Sequence, residues 1–127
     1  MFIDTHCHLY DASMVSRTAP VQDLAKEAGV VEVLLPNIDV STIDKMEAAK
    51  QQFPELRVRA MIGLHPCYVK EDFRAQLARM REAFEEHPER YCAVGEIGLD
   101  LYWDTSTAHD QVTALREQLA WSVEWNL

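Results

Sequence analysis

A chain of 127 residues with 48% hydrophobic content can bury one ordinary core, and it carries no run of about 18 apolar residues and no basic-then-apolar leader. A membrane span and a signal segment are therefore not expected, and the net charge of −9 excludes generalised attraction to nucleic acid and with it sequence-specific DNA binding. Cys7, Cys67 and Cys92 are odd in number and lack a framework spacing, so free thiols and a reducing cytoplasm are expected.

The first predicted strand is short, about Met1 to Asp4. A loop through Tyr10 and Ser16 leads to a helix beginning near Pro20, which suits a first helical turn, and ending at Gly29, which can take the left-handed position after a helix. The second strand is Val31 to Leu35. Ser41 and Asp44 resemble a capping box, with aspartate in place of glutamate, opening a helix that runs to about Phe53-Pro54. The third strand is Val58 to Ile62. Phe73, Leu77, Met80 and Phe84 recur at helical spacing and mark the buried face of the next helix. The fourth strand is about Tyr91 to Val94. Thr107 and Asp110 cap a last helix whose apolar stripe is expected to be Leu115, Leu119 and Val123. Trp121 and Trp125 sit four apart on a different face, expected to be exposed in this chain and to meet a following helix in a larger assembly.

Residues with chemistry collect at the strand ends. His6 and His8, spaced i and i+2 after the first strand, put two imidazoles on one face, where they can grip a divalent metal. Cys7 between them points the other way and reads as packing. Glu96 follows the fourth strand within Gly95-Glu96-Ile97-Gly98-Leu99-Asp100, and His65 follows the third within Gly63-Leu64-His65-Pro66. Strands alternating with helices, with His and Glu at strand C-termini, indicate a parallel α/β architecture with its site at that end of the sheet. His87 and His109 read as solvated surface residues.

The elements Asp-Thr-His-Cys-His-Leu, Gly-Leu-His-Pro and Gly-Glu-Ile-Gly-Leu-Asp, in this order, resemble the TatD-type metal-dependent hydrolases of the amidohydrolase superfamily. Gln111, Gln118-Leu119-Ala120 and the terminal Glu124-Trp125-Asn126-Leu127 resemble that family's fourth helix. The resemblance implies a (β/α)8 TIM barrel that hydrolyses phosphodiester bonds, often in DNA, with one or two divalent metals. It implies His6 and His8 as metal ligands and Glu96 as a carboxylate that binds or bridges the metals. It implies a substrate-contacting or supporting role for His65, and supporting roles for Asp4, holding an imidazole tautomer, and for Asp100. Histidine and carboxylate donors suit Mg, Mn, Zn, Co or Ni alike.

The chain departs from that pattern in two ways. The family's further ligands, two histidines and an aspartate from the second half of the barrel, have no counterpart, and Leu101 stands where an aromatic residue is common. A barrel of this kind takes about 250 residues, and the four strand-helix units here, residues 1–127, correspond to its N-terminal half with no second domain. Two other readings stay open. One is a non-catalytic half-barrel that binds metal weakly and pairs its open strand edges as a homodimer. The other is an amidohydrolase acting on an amide or lactone.

Overall fold

Short apolar runs alternating with amphipathic helices become, in the computed structural model of residues 1–127, a four-stranded parallel sheet. β1 (Phe2–Asp4), β2 (Val30–Leu35), β3 (Arg57–Ile62) and β4 (Tyr91–Val94) lie side by side in chain order. Parallel neighbours require a crossover, and each gap is bridged by helix. α1 (Ala12–Val15) and α2 (Thr18–Glu27) join β1 to β2, α3 (Ile43–Gln52) joins β2 to β3, α4 (Phe73–Glu86) joins β3 to β4, and α5 (Ala108–Trp125) follows β4. Sequential parallel order with a helix after every strand is the construction of a (β/α) barrel, here through its first four units.

The strand spans agree with the sequence reading to within a residue. The first helical segment does not start at Pro20. It is two pieces, the first opened by Asp11, whose carboxylate accepts the Ser13 N–H at 2.8 Å, and the second starting at Thr18 so that Pro20 sits inside its first turn. Gly29 takes φ +74 immediately after the C-cap of α2, as expected of a left-handed terminator. The capping expected of Ser41 and Asp44 falls instead to Asp39 and Thr42, because the entry to α3 is a tight 3-10 turn over Val40–Thr42. The Thr42 hydroxyl oxygen accepts the Asp39 N–H at 3.3 Å, and Ser41 donates to the Asp39 carboxylate at 2.7 Å.

One face of the sheet supplies Val33, Leu35, Ala60 and Ile62 to the core, against Met46 and Ala49 of α3 and Leu77 and Met80 of α4. The predicted face of α4 is the buried one: Phe73, Leu77, Met80 and Phe84 all lie in the core. Side chains alternate across a strand, so Glu32 lies on the other face, between Arg57 at 3.3 Å and Arg59 at 3.5 Å.

α5 is rotated from its expected setting. Its buried residues are Gln111, Ala114, Gln118 and Trp121, whereas Leu119 is 51% and Val123 84% exposed. Trp121 is 2% exposed and stacks on Trp125, which stacks in turn on Phe84 of α4 with ring centroids 3.8 Å apart. The two tryptophans thus close the α4–α5 seam. The two glutamines occupy inward positions because backbone groups of the loops beneath α5 need partners, as the site shows.

Candidate metal centre

β1 ends at Asp4, but the chain stays tied to β2 beyond it, with Cys7 N–H donating to the Leu34 carbonyl at 3.1 Å. Past a bend at Thr5 and His6, Cys7 packs against the core, and His6 and His8 lie together with their rings 5.1 Å apart. Burial raises the Cys7 thiol pKa, which suits packing rather than ligation. The Asp4 carboxylate accepts the backbone N–H of His6 at 3.0 Å, so it fixes the turn into the site through the main chain and not through an imidazole.

Glu96 reaches the same place from β4. Gly95 N–H donates to Ile62 O at 2.9 Å, Asn37 N–H to Gly95 O at 3.0 Å and Glu96 N–H to Asn37 O at 3.0 Å. Three strand ends are therefore laced together under the carboxylate. The approach is tight: a Cβ on Gly63 would stand 2.9 Å from the Gly95 carbonyl carbon, so the β3 end admits only glycine there.

Around Glu96 three imidazoles converge. His6 Nε2 is 3.2 Å and His8 Nε2 4.0 Å from Oε2, and His65 Nε2 is 3.3 Å from Oε1. The potential ligand atoms of His6, His8 and Glu96 all lie within 4.8 Å of one another. Two imidazole nitrogens and one carboxylate oxygen at that separation fit a single divalent cation. Burial, then the neighbouring His6 ring, holds the His8 pKa below its ordinary value, which favours the neutral ring with one nitrogen free to donate a lone pair.

His65 is set differently. Its Nδ1 accepts the Cys67 N–H at 3.1 Å, so in the neutral ring the proton sits on Nε2 and points at Glu96. That makes it a hydrogen-bond donor to the carboxylate rather than a third imidazole ligand. Asp100 lies one step further out, accepting from the Cys67 thiol at 3.2 Å and from Tyr102 N–H at 3.0 Å, and these donors hold its pKa low. Its hydrogen bonds go to neither Glu96 nor a histidine.

Four residues to which the sequence reading gave no role at the site support it. Tyr10, whose phenol pKa is raised chiefly by burial, lies 2.6 Å from His8 Nδ1, and Asn37 supplies the backbone pairs that hold Glu96. Gln111 grips the Asp100 backbone, with Asp100 N–H donating at 2.8 Å and the amide returning a bond to Asp100 O at 2.9 Å. Gln118 does the same to Leu64, next to His65. Their spacing of seven, two helical turns, on a face shared with Ala114 and Trp121 was the available signal.

A family profile described as "TatD related DNase" matches residues 3–127. The chain belongs to this family. An Escherichia coli K12 protein named "Uncharacterized metal-dependent hydrolase YjjV" is 31% identical over 99% of this chain and 48% of its own length. "Uncharacterized metal-dependent hydrolase YabD" of Bacillus subtilis 168 is also 31% identical, over 100% of this chain and 48% of its own. The crystal structure of YjjV, described as a TatD homologue, superposes on 99% of this chain with a TM-score of 0.87 at 30% identity, using 48% of that structure. The chain thus spans about half the length of the relatives it matches, and its four units are half of a TatD-type barrel.

Where the TatD pattern favours an aromatic residue, Leu101 is half exposed, and the next two positions, Tyr102 and Trp103, present exposed rings in an edge-on pair 4.8 Å apart. Beside His8 a cleft of about 710 Å³ runs along Tyr10, Ser13, Ile38, Thr42 and Lys45. No helix is long and apolar enough to cross a membrane.

Proposed function

We propose that residues 1–127 form the first half of the catalytic site of a metal-dependent phosphodiesterase that cleaves DNA without sequence preference. The observation that carries this reading is the convergence of His6, His8 and Glu96, with ligand atoms within 4.8 Å of one another, at the C-terminal ends of parallel strands in a TatD family member. A bound divalent cation supplies a polarised phosphoryl oxygen and an activated water at neutral pH. His6 and His8 contribute neutral nitrogen donors, and Glu96 contributes the negative charge that holds the cation. His65, with its Nε2 proton already aimed into the site, orients Glu96 and can donate to a phosphate oxygen as charge develops.

The net charge of −9 gives these residues no general attraction for phosphate, and a bound divalent ion would invert the potential within the site. Three free thiols, one of them hydrogen-bonded beside the site, fit a reducing cytoplasmic compartment.

The test is DNA hydrolysis by the native full-length product that carries these residues, with and without a chelator, alongside its Glu96→Ala variant. Loss of cleavage in both cases is expected. A wild-type rate in Glu96→Ala with normal metal content would sink the assignment, and preferential turnover of an amide or lactone over a phosphodiester would move the reaction to another branch of the superfamily.

A further inference from the structure

We propose that Tyr10 is a positioning residue that locks His8 as the Nδ1–H tautomer, so that Nε2 carries the lone pair presented to the metal. The inference rests on the metal-centre reading for its purpose, whereas its geometry stands independently. A phenol has one proton to donate and lone pairs with which to accept. The Tyr10 hydroxyl has two partners, the Pro36 carbonyl at 2.6 Å and His8 Nδ1 at 2.6 Å. A carbonyl can only accept, so the phenol proton goes to Pro36. The second contact is then satisfied only if His8 Nδ1 is the donor. That leaves the unprotonated nitrogen at Nε2, which faces the Glu96 carboxylate.

Burial makes the relay exclusive. Tyr10 is 7% exposed and Pro36 is buried, so water does not compete for the hydroxyl. The opposite tautomer would set the lone pairs of His8 Nδ1 and the Tyr10 oxygen against each other at 2.6 Å. The anchor matters too: Pro36 is followed by Asn37, whose N–H and C=O hold Gly95 and Glu96. Two adjacent residues after β2 therefore fix one imidazole through Tyr10 and the carboxylate through the main chain, setting the two in a common register. His65 shows that the choice is local, because the Cys67 N–H imposes the reverse tautomer there. Metal-ligating histidines generally give their second ring proton to a fixed acceptor, and loss of that acceptor costs about 10–100-fold in affinity.

The experiment is long-range 1H–15N correlation of the histidine rings in the metal-free wild-type chain and in Tyr10→Phe, at mildly alkaline pH, followed by calorimetric titration of both with Zn(II). The wild type should show His8 with a protonated Nδ1 and a pyridine-like Nε2. In Tyr10→Phe the Nε2–H form should grow in and Zn(II) affinity should fall about 10–100-fold, with unchanged circular dichroism. A wild-type His8 protonated on Nε2, or a tautomer unaltered in Tyr10→Phe, overturns the proposal. The wild-type spectrum alone decides the tautomer if the variant does not fold. The predicted tautomer without Zn(II) binding by the wild type would instead overturn the metal-centre reading, which keeps the two failures apart.

Discussion

The side-chain amide of Gln118 holds the backbone of Leu64 by both of its polar groups, accepting the Leu64 N–H at 2.6 Å and donating to the Leu64 carbonyl at 3.4 Å. The two residues are 54 positions apart, and the clamp sits one residue before His65. α5 thereby controls the loop that presents an imidazole to Glu96, although α5 itself contributes no group to the site.

Replacing Gln118 by Leu keeps the volume and removes both partners of a buried peptide. Each buried unsatisfied group costs about 1–3 kcal/mol, so a loss of about 2–6 kcal/mol is expected for the pair. Urea denaturation should show a lower midpoint with an unchanged slope. A midpoint equal to wild type would mean that water replaces the amide.

The histidines should separate by metal affinity. His6→Ala removes a donor and is expected to weaken divalent binding by more than the ~10–100-fold typical of an outer partner. His65→Ala removes a hydrogen bond to Glu96 and should fall within that range. Isothermal titration with Zn(II) or Mn(II) compares them, and equal losses would contradict the donor role assigned to His65.

Acidification should expose the state of His8. Its pKa lies below the ordinary imidazole value of about 6.5, chiefly through burial. Between the folded and unfolded values the unfolded chain binds the proton and the folded chain does not. The stabilising contribution is therefore fully present above about pH 6.5 and is lost as pH falls through the folded value. Metal-free protein denatured at successive pH values should lose stability over that window, and His8→Gln should flatten the slope. An unchanged slope in the variant would assign the effect to other groups.

The rotation of α5 predicts unequal penalties for two large apolar residues only two positions apart. Trp121→Ala empties a packed position and should cost about 3–5 kcal/mol. Leu119→Ala, at a half-exposed position, should stay within about 0.5 kcal/mol. Thermal melts of the two variants decide this, and comparable losses would show that the exposed face of α5 is covered in solution.

By itself the sequence determined the parallel α/β alternation, the inward face of α4 and the gathering of His6, His8, His65 and Glu96 at strand C-termini. Each follows from local periodicity and from the rule that parallel strands deliver their ends to one side. Tertiary structure decided the rest. The rotation of α5 could not be read from its apolar stripe, because loop peptides at Leu64 and Asp100 needed buried partners and drew Gln118 and Gln111 inward. The Asp4 carboxylate, expected to hold an imidazole, accepts a backbone N–H, and it is Tyr10 that stands beside a ring, that of His8. In each case a buried polar group must be paired, and which residue pairs it depends on what the fold brings within about 3 Å, a distance that spacing along the chain does not encode.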